Sequence, residues 1–143
     1  MKFTSKIIGV KQVNAKIGAR IQAHSKQSLE NLKVGVLLIH SEAVKNLQSV
    51  SPGETQTRYS PKRTVKVSKP GDSPNTDTSR AIKSIGFNVD EKRLKSEVGT
   101  NLKYLKFLEL GTKFIAARPW LITALKKVQP SLRVVFRKTP KVR

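Results

Sequence analysis

Apolar residues along this chain recur with two different periods, and the switches between them mark out its elements. Phe3 and Ile7 share one face of a short edge strand predicted over residues 2–8, which Gly9 ends. Val10, Val13, Ile17 and Ile21 then fall at spacings of three and four, the signature of an amphipathic helix with Lys11, Lys16 and Arg20 turned outward. Ser25 and Ser28 interrupt that rhythm and can cap a second helix, from about Lys26 to Val50, the longest element expected. Its buried stripe reads Leu29, Leu32, Val36, Ile39, Ala43 and Leu47, broadened by Val34 and by Leu37 or Leu38. So wide a stripe suits a helix with one side on a sheet and another on a neighbouring element or subunit. Further on, Ile85, Phe87 and Val89 alternate with Gly86 and Asn88, Asp90 to Arg93 is a polar turn, and Leu94, Ser96 and Val98 resume the alternation. That is a β-hairpin.

The period changes again after Thr100. Asn101 is placed to N-cap a helix in which Leu102, Leu105 and Leu108 form the apolar face, widened by Tyr104 and Phe107. Gly111 stands where a left-handed residue would end it, and Pro119 suits the first turn of another helix, because its missing N–H costs nothing there. Trp120, the only Trp, begins a second apolar run through Leu121, Ala124, Leu125 and Val128. Pro130 is expected to stop that helix, and Leu132, Val134 and Phe136 to form a last strand. Two short helices joined by a tight, Gly-hinged elbow are therefore predicted. The whole reads as one α+β domain over residues 1–143, a small and mainly antiparallel sheet packed against the long helix.

Residues 51–80 interrupt this order. Ser51-Pro52-Gly53 stops the long helix, and from Ser51 to Arg80 there are four Pro, two Gly and many Ser and Thr. Little but Val65 and Val67 is available for burial, so an extended, mobile arm is expected, ordered by a neighbour in an assembly. Thr64 to Val67 could add a strand to an adjacent sheet edge. Arg58, Lys62, Arg63, Val65, Val67, Pro70 and Asp77 are its candidate contacts; a linker without a fixed partner is the plainer alternative.

Charge changes the picture most. Twenty-nine Lys and Arg oppose nine Asp and Glu, a formal net charge of +20, which favours nucleic acid or an acidic protein surface as partner. Lys126, Lys127, Arg133, Arg137, Lys138, Lys141 and Arg143 close the chain with no acid among them. They are either a solvated tail or a surface that faces DNA. No helix-turn-helix, zinc-finger or RNA-binding aromatic pattern accompanies them, so sequence-specific readout is not expected. Catalysis is not expected either: there is no Cys, and His24 and His40 lie sixteen apart without a second ligand at helical spacing. No metal and no cofactor are predicted. No apolar run approaches the roughly 20 residues of a membrane-spanning helix, and no membrane partner is expected. Glu109, near the end of its helix where a carboxylate opposes the helix dipole, calls for a local partner, with Arg118 across the elbow the obvious one; the plainer alternative is that it points to water.

Two blocks resemble a known family. In VGTNLKYLKFLELGT followed by ARPWL, the residues Val98, Gly99, Thr100, Tyr104, Leu108, Glu109, Gly111, Thr112, Ala117, Arg118, Pro119, Trp120 and Leu121 match the pattern of the small head–tail joining, or tail-completion, proteins of tailed bacteriophages of the lambdoid type. In SKPGDSPNTDTSRAIKSI, the residues Pro70, Gly71, Pro74, Asp77, Thr78, Arg80, Ser84 and Ile85 match a second family block. Ser79 stands where the family has Gly, and Ala81-Ile82 replaces a single Leu position. The resemblance implies a structural virion subunit at the head–tail junction, made in the bacterial cytoplasm and assembled as a six- or twelve-fold ring. It implies contacts with the connector or stopper on one side and the tail terminator or tail tube on the other, and packaged DNA close by. Tyr104, Phe107, Leu108, Glu109, Gly111, Thr112, Arg118, Pro119 and Trp120 would then form a structural corner and subunit interface. Charge alone supports a different reading, a small non-specific DNA-binding protein, which should hold duplex DNA with a steep salt dependence as a monomer or dimer.

Overall fold

The computed structural model describes residues 9–77 and 79–140; the expected strand over residues 2–8, Thr78, Lys141 and Arg143 lie outside them. The order is α1 (Val10–Gln48), β1 (Gly53–Tyr59), β2 (Lys62–Ser68), α2 (Arg80–Lys83), β3 (Ile85–Asp90), β4 (Lys95–Thr100), α3 (Lys103–Leu110) and α4 (Leu121–Phe136). The class is α+β. The strands do not make one sheet, however: β1–β2 and β3–β4 are separate antiparallel hairpins.

The two helices expected before residue 50 are a single helix of 39 residues, about 58 Å long at 1.5 Å per residue. Ser25 and Ser28 do not interrupt it. Serine costs only a few tenths of a kcal/mol in a helix interior, and the Ala, Gln and Lys around it are good helix formers. A Gly or Pro would have been needed, and Gly18 alone is not enough. Its C-terminal half buries Val36, Ala43 and Leu47 as predicted, with Leu29, Leu32 and Ile39 half-buried. Its first four turns bury almost nothing: Val10, Val13, Ile17 and Ile21 are exposed.

The C-terminal segment differs most from its expected structure. The chain does not turn into a strand at Leu132; α4 continues through Pro130 to Phe136. Leu132, Val134 and Phe136 alternate, but Leu121, Ala124, Val128, Leu132 and Val135 also recur at three and four, and this second set is the one turned inward. Helical period wins because α1 offers an apolar face for it to pack on. At Gly35 of α1, a Cβ would stand 3.3 Å from side-chain atoms of Leu132 and Phe136, so the small residue lets the helices approach. Pro130 is exposed, and the carbonyl it leaves without a partner one turn back, on exposed Lys126, can bond to water.

Asn46 and Asn31 fix the direction of the pair. Asn46 Nδ2 donates to the Trp120 carbonyl at 2.9 Å, and Asn31 Nδ2 to the Lys138 carbonyl at 3.2 Å. The helices are thus antiparallel, and residues 10–23 of α1 extend past the end of α4. Between these tethers lies the core: Ala43, Leu47, Ala81, Ile85, Leu105, Trp120 and Ala124, flanked by Val44, Ile82, Val98, Leu102, Leu108 and Leu121. The β3–β4 hairpin forms as predicted, with Phe87 opposite Val98, although Leu94 belongs to its turn at φ +49° and not to a strand.

Replacing Pro130 with Ala tests the helical reading. In a helix interior the change is worth up to about 3 kcal/mol, so P130A should raise the thermal midpoint by several degrees. An unchanged or lower midpoint would argue for a chain break at that position.

Candidate functional site

The residues between α3 and α4 form a longer connection than the tight elbow expected. Gly111 ends α3 with φ +75°, its N–H donating to the Phe107 carbonyl at 2.8 Å. A Cβ there would lie 3.0 Å from the Ala117 nitrogen and 3.1 Å from the Ile115 oxygen, so both the backbone angle and the crowding require glycine. Thr112 then folds the loop: its Oγ1 accepts from the N–H groups of Phe114 and Ile115, and its own N–H donates to the Ile115 carbonyl at 2.8 Å. The Arg118 N–H returns to the Leu108 carbonyl. Pro119 precedes the helix and does not sit in its first turn, since α4 begins at Leu121. Asn101 is not the cap of α3 either; Thr100 Oγ1 instead accepts the Leu102 N–H at 3.1 Å.

Glu109 finds a different partner from the one expected. Its Oε2 accepts the N–H groups of Trp120 and Leu121 at 2.7 and 3.0 Å, and its Oε1 accepts that of Ile122 at 2.7 Å. The carboxylate leaves the unfavourable C-terminal end of α3 for the favourable N-terminus of α4, where free N–H groups and the helix dipole both welcome an anion. Arg118 takes no part in this. Beside the carboxylate, Trp120 is 2% exposed, and its indole N–H donates to the Leu105 carbonyl at 3.4 Å. Tyr104 and Phe107 do not join the core; they face outward, as do Leu110 and Ile122, and Phe114 is 92% exposed.

The expected arm is an ordered hairpin. Arg63, Val65 and Val67 face inward and alternate with exposed Lys62, Thr64 and Lys66, so the predicted strand at Thr64–Val67 exists, but it pairs with the chain's own β1. The Lys69–Asp77 segment straps the hairpin to the rest. Asn75 accepts the Ser51 N–H through Oδ1 and donates through Nδ2 to the Ser51 and Lys66 carbonyls. Thr76 donates to the Leu47 carbonyl, and the Gly71 N–H to that of Ala117 at 2.9 Å. In the hairpin register Arg58 lies opposite Arg63, a like-charge pair that would push the strands apart. Asp77 lies between them, 3.2 Å from Arg58 and bound by both nitrogens of the Arg63 fork. The Arg63 hydrogen bonds, and then the charges of Arg63 and Arg58, hold the Asp77 carboxyl below its ordinary value of 3.8, although desolvation opposes the shift.

The fold therefore joins the two blocks that carry the family resemblance. Gly71 bonds to Ala117, Ser73 Oγ donates to the Pro119 carbonyl, and the Ser84 hydroxyl meets that of Thr100 at 2.7 Å. Ser79, standing where the family pattern has Gly, takes φ +54°. Pro70 is exposed on the strap. The basic terminal residues divide. Lys127 is tied down, donating to Asn46 Oδ1 at 2.8 Å and pairing with Glu42 at 3.2 Å. Lys126 and Arg133 lie on the exposed side of α4, and exposed Arg137 and Lys138 follow it. His40 lies against the edge of Phe87, its ring 5.3 Å away. Among the described residues no group of three or more His, Asp or Glu is placed to hold a metal ion, and no helix is long and apolar enough to cross a membrane. Asn46 and Asn75 are central to this region. Their side-chain partners lie nine to 81 residues away, so no local sequence signal marked them. Comparison with protein families, curated proteins and solved structures found no match to this chain.

Three outcomes check this geometry. Glu109→Gln should lower stability by about 1 kcal/mol, since a charge-assisted cap is lost. A double-mutant cycle with Arg118→Gln should return no coupling; coupling above about 0.5 kcal/mol would restore the Glu109–Arg118 pair. For Asp77, a depressed carboxyl stabilises the fold fully above its ordinary value and loses that effect as pH falls through the depressed one. The Asp77 side-chain carbon signal should therefore titrate below 3.8, with the amides of β1 and β2 moving alongside it. A midpoint at or above that value would remove the clamp.

Proposed function

We propose that this chain is a structural subunit that builds a closed ring at the head–tail junction of a tailed bacteriophage, joining the capsid connector to the tail. One observation carries the ring. Among the exposed apolar side chains of the described residues, two groups lie at opposite ends of the α1–α4 pair. The first is the stripe Val10, Val13, Ile17 and Ile21, with Leu94 beside its last turns. The second is the loop-end surface of Phe107, Leu110, Phe114, Ile115 and Ile122. From Ile21 to Asn46, which is bonded to the Trp120 carbonyl, α1 rises about 37 Å at 1.5 Å per residue. Large unpartnered apolar surfaces mark interaction sites. Two different ones on separated ends suit a head-to-tail contact, which closes into a ring when the rotation between neighbours permits. The place in the virion is supported by the two sequence blocks, which meet in space, and by the left-handed backbone at Ser79, the angle that glycine in the family pattern would favour.

The non-specific DNA-binding reading has its own support in the exposed cations Lys126 and Arg133 of α4 and Arg137 and Lys138 after it. In the ring these residues are the candidates to face the DNA path, together with Lys141 and Arg143.

Mixing two interface variants tests the assembly. The wild-type protein, concentrated, should form closed oligomers in native mass spectrometry, while Ile17→Asp and Phe114→Asp should each stay monomeric. Because each variant retains one intact surface, an equimolar mixture should give heterodimers and nothing larger. Variants that oligomerise like the wild type would sink the head-to-tail ring. A monomer that binds duplex DNA with a steep salt slope and never oligomerises would favour the second reading.

A further inference from the structure

Between the β1–β2 hairpin, the Pro74–Asp77 strap and the Tyr104 side of α3 lies a cleft of about 720 Å³. Arg58, Arg63, Arg80 and Arg118 line it, with Asp77 as the one facing carboxylate. Asp77 is already shared by Arg58 and Arg63. Arg80 and Arg118 form no side-chain hydrogen bond or ion pair with any described residue. Two side-chain polar atoms among the described residues are buried without a hydrogen-bond partner, Ser68 Oγ and Arg118 Nε, and both residues line this cleft. A desolvated guanidinium nitrogen without an acceptor is costly, and the group that best removes the cost is a planar oxyanion matching the arginine fork. The cleft already contains an instance of that match. Arg63 Nε donates to Asp77 Oδ1 at 3.0 Å and its Nη2 to Oδ2 at 2.5 Å.

We propose that this cleft binds an acidic peptide segment of another protein, one carboxylate of which is taken by Arg118 and Arg80. The occupant comes from elsewhere because this chain has nine acids against twenty-nine bases, and Asp77 and Glu109 are already engaged. A peptide fits better than duplex DNA for a geometric reason. Arg118 is half-buried in the lining of the cleft, so the acceptor for its fork must come in on a slim side chain, whereas duplex phosphates ride on a wide, rigid cylinder. Val65, Val67 and Tyr104, also on the walls, would cover the apolar stem of a Glu. The proposal is independent of ring assembly and holds for a monomer.

A capped oligo-glutamate peptide titrated into the full chain tests it, by calorimetry and by the arginine Nε–H signals in NMR. Binding is expected, with the Arg118 and Arg80 signals shifting first. Arg118→Gln and Arg80→Gln should each weaken it about tenfold, the scale of a charge-assisted hydrogen bond. Arg118→Lys, which keeps the charge but loses the fork, should still weaken it, and should do so with an unchanged thermal midpoint. Lys126→Gln and Arg137→Gln on the α4 side should change it by less than about twofold, as exposed charges do. Arg80 is exposed, so its variant carries the test if Arg118→Gln fails to fold. Equal weakening by the α4 variants would reduce the binding to diffuse charge. A duplex oligonucleotide that shifts the two arginine signals more than the peptide does would give the cleft to nucleic acid. Either result overturns the proposal.

Discussion

The Glu109 carboxylate leaves the last turn of α3 and receives three backbone N–H groups from the first turn of α4. By that contact it sets the angle between the two helices and with it the position of Trp120. Both helix ends gain, since an acid that would be unfavourable at one dipole's negative end is moved to another's positive end. Trp120 then fills the space among Leu105, Leu47 and Ala124, and its carbonyl accepts from Asn46 of α1. The long helix, the short helix and the C-terminal helix meet around this one side chain. Gly111 and Thr112 serve the same end, bending the loop so that the chain returns within reach of the carboxylate.

In a chain so poor in acids, several carboxylates act as brackets between segments. Asp77 holds two arginines that face each other across the β1–β2 hairpin, and Glu42 reaches Lys127 across the α1–α4 contact. Glu91 in the β3–β4 turn pairs with Lys33 of α1 at 2.7 Å. Exposed pairs of this last kind are worth little individually, but those at Asp77 and Glu109 are different in kind, because each neutralises a specific local conflict. With these carboxylates spent on internal contacts, the outward field is that of unpaired Lys and Arg. This is why both the cleft and the α4 surface remain cationic.

Apolar surface is divided in the same uneven way. The core is small and centred on one Trp, while Val10, Val13, Ile17, Ile21, Phe107 and Phe114 are left in water. A helix that continues four turns past its last packing partner covers little among the described residues. Such an extension makes physical sense when a neighbour supplies the missing surface, and the proposed assembly is built on that economy of form.

Sequence by itself determined the local pieces: the β3–β4 hairpin, the buried stripe from Val36 to Leu47, a glycine ending α3 at Gly111 and the inward turn of Leu105 and Trp120. Each rests on forces that act within a few residues, such as alternation, helical periodicity or the steric freedom of glycine. Tertiary structure decided the rest. Residues 132–136 carry both a strand pattern and a helix pattern, and only the apolar face of α1 selects the helix. Ser25 and Ser28 look like a boundary until the good helix formers around them carry the helix through. The region from Gly53 to Asp77 has few apolar residues, and its order comes from Asn75, Thr76 and Asp77 bonding to partners far along the chain. Glu109 was rightly singled out as needing a local partner, yet its partner is a row of backbone N–H groups that exists only once α4 has formed. Contacts of that kind depend on where the backbone ends up in space, and a single sequence does not display that.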